Sequence, residues 1–269
     1  MKQKQSCIIG VAGGSGSGKT TLAKRIAESR PEDTLILSCD DYYKSLYDLL
    51  TVQNLLKPLE IQLLTDFLEK EYPNAFSAGQ GMTEEMKNQG VLKFLKEQDL
   101  FERVMSQINF DLPKDIDFEL LICHLKELCA GRSVPKMKHD FQEGTRKVRE
   151  EDRIYPKPVI VVEGLMIFVD TKLRRLFNLR IFVETSEKSC RRRRFKRDGE
   201  PVSKGGRDLG RDAETKKYKK FVLPGLRQYV EPTKRYADII LNGETLRPFE
   251  KFVDLLGARI DAWRRENSK

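Results

Sequence analysis

One stretch near the start of the chain limits what the rest can be. Gly13-Gly14-Ser15-Gly16-Ser17-Gly18-Lys19-Thr20 meets every fixed position of the G-x-x-x-x-G-K-[ST] phosphate-loop pattern. Cys7-Ile8-Ile9-Gly10-Val11-Ala12 before it reads as a short buried strand, and Thr21 to Ala27 after it reads as the opening of a helix. In that order the backbone N–H groups from Gly16 to Thr20 converge at a helix N-terminus, where unpaired donors and the helix dipole both favour an anion. Lys19 is expected to reach the outer phosphates of ATP, and the Thr20 hydroxyl to bind Mg²⁺. At average glycine usage the fixed positions coincide in a chain this long about once in a hundred. The dinucleotide fingerprint G-x-G-x-x-G fails, because counting from Gly14 its third glycine falls on Lys19.

The chain has 269 residues, 39% apolar and 34% charged, enough for a substantial core and too apolar for disorder. No internal repeat or linker interrupts it, so residues 1–269 read as one elaborated domain. A net charge of +9 suits a polyanionic ligand, and ATP, nucleic acid and a membrane surface all qualify on charge alone. Five cysteines without a C-x-x-C pair point to a reduced, cytoplasmic protein. Cys123, His124 and Cys129 are not expected to bind zinc, since Cys129 falls on the apolar stripe of a helix and only one other histidine exists. No run is apolar enough for a signal peptide or a membrane span, so no membrane partner is expected.

After the first helix, Thr34-Leu35-Ile36-Leu37-Ser38 is a second buried strand that ends in Cys39-Asp40-Asp41-Tyr42-Tyr43. Carboxylates at that end sit on the sheet edge where open α/β folds bind ligands, although a turn or helix cap uses the same residues. From about 45 to 108 the pattern is helical and interrupted, giving two to four extra helices. Ile61, Leu64, Phe67 and Leu68 share one face; Leu92, Leu95, Phe101, Val104, Met105 and Ile108 share another, with a loop over 72–81 between. These stripes call for a covering surface, either the acceptor pocket or a second subunit. A helix after Asp117, striped by Leu121, Ile122, Leu125 and Leu128, precedes a basic hairpin or flap over 132–157. Pro158 to Val162 is a third buried strand and ends in Glu163, the expected second anchor for Mg²⁺ beside Thr20. Leu179 to Val183 is a fourth strand. Ser186 caps a helix carrying Arg191, Arg192, Arg193, Arg194 and Arg197, which alone reads equally as a solvated face or an RNA patch. A helix over about 214–230, a strand over 237–241 and a C-terminal helix over 249–265 complete the chain.

Taken together the chain resembles the uridine–cytidine kinases of the phosphoribulokinase/uridine kinase family. The resemblance rests on Gly13 to Thr21, Asp40-Asp41-Tyr42-Tyr43, Asn109-Phe110-Asp111 with Pro113, Asp140-Phe141, Glu163-Gly164, Arg193-Arg194 with Arg197-Asp198, and Glu231 to Ile240. It implies a P-loop NTPase-type α/β fold, a mostly parallel sheet flanked by helices, with a helical insertion over about 45–108 and an Arg-rich lid over about 190–217. It implies a nucleoside acceptor, with Asp40 as the base for the ribose 5′-hydroxyl and with Tyr43, Asp111, His139 and Phe141 holding the nucleoside. Arg194 and Arg197 match the family's lid arginines, which screen the transferring phosphoryl group and, through Arg194, the acceptor side.

Three departures stand out. Where the family has Tyr before the Asp-Phe pair and His three residues after it, this chain has His139 and Gly144, so weaker base selectivity and a pH dependence near neutrality are expected. The lid is longer than usual, leaving Arg207 and Arg211 as alternative later lid arginines. The connection from Tyr43 to Asn109 is long. The family's tetramers make a homo-oligomer one expectation, and a helical layer that blocks one is the other. The alternatives are a kinase of another ribose-bearing or phosphosugar acceptor, an RNA-dependent P-loop NTPase, and a binding protein on a degenerate kinase fold. Nucleic acid is not expected as a partner, because Asp40 and Asp111 have no evident use in an RNA motor.

Overall fold

A computed structural model describes residues 6–77, 81–141, 143–198, 215–245 and 247–266. The first part of the chain gives β1 (Cys7–Gly13), α1 (Lys19–Ser29), β2 (Thr34–Ser38), α2 (Leu46–Gln53), α3 (Pro58–Glu71), α4 (Pro73–Ser77), α5 (Glu84–Glu97) and α6 (Phe101–Gln107). The remainder gives α7 (Phe118–Cys129), β3 (Val134–Asp140), β4 (Thr145–Ile154), β5 (Val159–Gly164), α8 (Thr171–Arg174), β6 (Leu179–Glu184), α9 (Glu187–Asp198), β7 (Ile239–Asn242) and α10 (Arg247–Glu266). These elements form two units. One comprises Met1–Cys39, Phe118–Val134 and Arg153–Lys269, the other Asp40–Asp117 and Pro135–Asp152.

The first unit is built on a five-stranded sheet in the order β2-β5-β1-β6-β7, with parallel pairing between neighbours. β1 and β5 are buried along their whole length. That is why their sequences are unbroken apolar runs: a central strand of a parallel sheet is covered on both faces and has no solvent side. Leu22, Ala23 and Ile26 of α1 pack with Ile9, Val11, Val161 and Val183 of the sheet, and Phe249, Val253 and Leu256 of α10 close the same core. The edge strand β7 is fixed in register by Asp238, whose carboxylate accepts from the Arg180 backbone N–H at 2.8 Å and from its guanidinium at 3.0 and 2.6 Å. Residues 215–236 are helical, and around Pro224, which has no N–H to give, the turns widen at Tyr218–Val222 and Leu226–Val230.

The second unit holds the insertion. Among the described residues it contains five helices where the sequence pattern gave at most four, because α4 forms inside the expected 72–81 loop, Pro73 serving as a helix start. The expected stripes cover one another within the insertion. Leu46, Leu49 and Leu50 of α2, Leu64 and Leu68 of α3, Val91, Phe94 and Leu95 of α5, and Val104 of α6 make one core. Ile61 is the exception, 51% exposed beside exposed Leu59 and Leu63. The first turn of α3 is fastened instead by Glu60, which accepts from the Lys57 N–H and twice from Arg103, each at 2.8 Å.

β3 and β4 form the expected hairpin as a separate two-stranded sheet. Its turn passes through Gly144 at φ +66°, a left-handed conformation that a side chain would strain. Arg146 on β4 is buried between the Glu84 carboxylate at the start of α5, which it grips with two 3.0 Å bonds, and Asp117, also at 3.0 Å. The insertion core should therefore behave as a stability element. Leu95→Ala is expected to lower the unfolding free energy by about 2–5 kcal/mol and Ile61→Ala by less than about 0.5 kcal/mol, both measured by urea denaturation.

Candidate functional site

In the first unit the register carries β1 to its end opposite Glu163, Gly164 and Val183, and the chain then turns through the glycine loop into α1. The Ser17 N–H closes a turn on Gly14 O at 3.0 Å, and the Leu22 N–H bonds to Gly18 O at 2.9 Å, starting the helix ladder. Gly16 sits at φ +83°, and a Cβ there would lie 2.5 Å from the backbone oxygen of Cys190 on α9. Only glycine fits that combination of dihedral and space. Gly13, Gly14 and Ser17 are buried in the loop, Lys19 is buried at the head of α1, and Thr20 and Thr21 face outward.

The helix α9 lies along this loop, and its arginines divide their work. Arg193 spends its guanidinium on backbone oxygens, donating to Gly16 O (3.3 Å), Gly243 O (2.9 Å) and Glu244 O (2.8 Å). Arg194 is buried and donates to the Ser15 hydroxyl at 3.1 Å. Both line, with Arg197, Lys19, Thr20 and Thr21, a cavity of about 400 Å³ whose far wall is Gly243, Glu244, Thr245 and Phe249. That volume is in the range of small-ligand sites. The far wall was not read from the sequence, which offers there only a Gly after an apolar strand. Its position comes from the fold, through Gly243 N–H on Glu184 O at 2.8 Å. Arg207 and Arg211 lie outside the described residues, as does most of the expected lid.

Glu163 ends β5 nearly buried, level with Val11 on one neighbouring strand and Ser38 on the other, and accepts from the Ser38 hydroxyl at 3.0 Å. A carboxylate at this strand end and an outward threonine hydroxyl at the head of α1 are hard oxygen donors, the kind that suits Mg²⁺.

The other expected residues belong to the second unit. Asp40 lies in a 3₁₀ turn, Cys39–Tyr42, and is half-buried. Tyr43, His139 and Phe141 come together with Phe110 in a ring cluster. Phe141 is 5.3 Å from both Tyr43 and Phe110 and 4.6 Å from His139, centroid to centroid. The Tyr43 hydroxyl donates to Phe110 O at 2.6 Å, fixing the ring against the segment that carries Asp111. Asp111 is itself held by its N–H on the Asn109 side chain at 2.9 Å.

His139 corrects one expectation. Its Nε2 lies 3.3 Å from Lys44 O, its Nδ1 has no hydrogen-bond partner among the described residues, and burial pushes its pKa down to about 4. The ring is therefore neutral at physiological pH and gives no pH dependence near neutrality. It does give one in stability. Below pH about 6.5 the unfolded chain takes up a proton that the folded chain refuses, so native stability is lost as pH falls from about 6.5 toward 4. Between pH 7 and pH 5 the native protein should lose roughly 1–2 kcal/mol more than His139→Phe, compared by denaturant titration. Equal losses would mean that His139 titrates normally in the folded state.

Residues 61–246 match the model of the Phosphoribulokinase / Uridine kinase family. The chain is 34% identical over 256 residues to a uridine kinase of Chloroflexus aurantiacus, covering 95% of this chain and 94% of that protein. It is 31% identical over 271 residues to a uridine kinase of Ligilactobacillus salivarius, covering 100% and 99%. Against the mouse uridine-cytidine kinase-like 1 the match is 32% over 241 residues, 89% of this chain and 34% of the mouse protein. The bacterial matches span both partners almost end to end, so the long connection over 45–108 falls inside them. Among solved structures, a putative fructose transport system kinase from a Silicibacter species has the same fold, with a TM-score of 0.56 at 16% identity over 89% of this chain and 91% of that one. By the extent of these matches, the chain belongs to the phosphoribulokinase/uridine kinase family.

Proposed function

We propose that the protein is an ATP- and Mg²⁺-dependent kinase that transfers the γ-phosphoryl group to the 5′-hydroxyl of uridine or cytidine, a step of pyrimidine salvage. The observation that carries this reading is the cavity in which the phosphate loop, Lys19, Arg194 and Arg197 meet. The names of the relatives supply the acceptor class. Phosphoryl transfer needs little covalent help from the protein. It needs phosphates held in line and charge neutralised as it spreads over the transferring oxygens. The loop N–H groups and Lys19 hold the phosphates, and Arg194 and Arg197 neutralise the transferring group. Mg²⁺ at Thr20, with Glu163 direct or through water, supplies further charge neutralisation when bound.

On the acceptor side, Asp40 takes the proton of the attacking hydroxyl and Asp111 accepts hydrogen bonds from the ribose hydroxyls. Tyr43, Phe141 and His139 offer ring faces and edges to the base. Gly144 adds no side chain there, so discrimination among bases is expected to be modest. The absence of any C-x-x-C spacing among the five cysteines supports a reduced, cytoplasmic setting. Among the described residues no helix is long and apolar enough to cross a membrane.

Incubation with ATP, Mg²⁺ and a panel of uridine, cytidine and purine nucleosides should yield uridine and cytidine monophosphates. Asp40→Asn should cut turnover by about 10²–10⁴-fold while ATP affinity stays within about twofold, because a base acts on the chemical step. RNA-stimulated hydrolysis without any nucleoside monophosphate would overturn the kinase reading, and near-normal turnover in Asp40→Asn would remove it from the base role.

A further inference from the structure

Gln53 links the insertion to the acceptor segment. Gln53 is the last residue of α2; Asn54 after it turns left-handed at φ +52° and ends the helix. The Gln53 amide uses each of its hydrogen-bonding directions but one. Nε2 donates to Asn109 O at 3.0 Å and to Asp115 Oδ2 at 2.9 Å, and Oε1 accepts from the Asn109 N–H at 3.0 Å. The amide thus pairs with the Asn109 backbone as a neighbouring strand would, and reaches across to Asp115. It can point only one way, since a flipped amide would set its oxygen against a carbonyl and a carboxylate. Asn109 passes the constraint on, its side chain accepting from the Asp111 N–H at 2.9 Å. Asp115 is fully buried, and its backbone oxygen accepts from the Lys44 N–H at 2.7 Å. Gln53 therefore ties the two ends of the loop Asn109 to Asp115, with Asp111 between them. Lys114 adds a second tie, from its ammonium to Val52 O on the last turn of α2 at 2.7 Å.

We propose that Gln53 is a positioning residue for acceptor binding, closing the Asn109–Asp115 loop so that Asp111 is held ready for the ribose hydroxyls. This rests on the acceptor role proposed for Asp111. Gln53 is half-buried and takes no part in the apolar core of the insertion, so its three bonds fall on this loop and not on helix packing. A loop left untied must be ordered by the ligand itself, which weakens ligand binding without touching the chemical step.

The test is steady-state kinetics of the full chain on uridine and 2′-deoxyuridine. Gln53→Ala should raise the KM for uridine about tenfold, with kcat and the KM for ATP within about twofold and the melting temperature nearly kept. Its kcat/KM preference for uridine over 2′-deoxyuridine should shrink, which a general loss of structure would not cause. Gln53→Glu should be at least as damaging, because its second oxygen faces Asn109 O and the Asp115 carboxylate. In an Asp111→Asn background, Gln53→Ala should add little. If Asp111→Asn itself leaves the uridine KM and the ribose preference unchanged, the acceptor role of Asp111 is wrong and the inference falls with it. If Asp111→Asn weakens uridine binding but Gln53→Ala does not, or does so additively, the positioning role alone is overturned. A parallel rise in the KM for ATP and uridine with a lower melting temperature also overturns it.

Discussion

A loop that binds phosphate has to keep its N–H groups for the ligand, so it must be held in shape by something else. Here that something is the oxygen atoms. Gly16 O accepts from Arg193, Ser17 O from the Thr185 hydroxyl at 2.8 Å, and the Ser15 hydroxyl from Arg194. The donors come from the end of β6 and from α9, so the loop keeps its form only if that strand and helix stand beside β1. The near contact of Gly16 with the Cys190 carbonyl leaves no slack. The parallel sheet, the core under α1 and α10, and the register lock at Asp238 all serve to keep these partners in place. Rigidity of this kind is what electrostatic catalysis needs, since dipoles already aimed at the phosphates cost nothing to reorganise.

The second unit solves a similar problem with different means. Asp40, Tyr43 and Asp111, proposed for the acceptor side, sit outside its α-helices and strands, with no regular ladder of hydrogen bonds to hold them. Side chains substitute for that ladder: Tyr43 on Phe110 O, Asn109 on the Asp111 N–H, and Gln53 on both edges of Asn109. The helices of the insertion supply a base for these contacts by burying their apolar faces against one another. Burial has side effects on charge. It raises the Asp115 carboxyl to about 6 and lowers the His139 imidazole to about 4, both toward the neutral form.

What could be read from the sequence was what a local pattern dictates. The phosphate loop, the doubly covered strands and Ser186 as a helix cap follow from spacing and composition, and the cap indeed accepts the Ser189 N–H at 3.3 Å. The separate duties of Arg193 and Arg194 could not be read, because adjacent helix positions point about 100° apart and only the neighbouring loop decides which meets backbone oxygens and which meets the Ser15 hydroxyl. The wall formed by Gly243, Glu244, Thr245 and Phe249 is distant in sequence from the loop it faces, and arrives there because β7 pairs with β6. His139 invited a titrating role on composition alone; the depth at which a ring lies is a tertiary property. Ile61 fits the apolar period of α3 yet is exposed, in the same turn where Glu60 pairs with Arg103. Gly144 stands where the family has a base contact, yet its backbone dihedral gives it a reason of its own.

The central claim is transfer to a specific hydroxyl, and phosphorus NMR of the protein with ATP, Mg²⁺ and uridine tests it most directly. The account predicts that the γ-phosphate signal disappears in step with the growth of a 5′-monophosphate ester signal and ADP, and that 5′-deoxyuridine gives no ester. Release of inorganic phosphate as the sole partner of ADP, or an ester formed equally well on 5′-deoxyuridine, would contradict it.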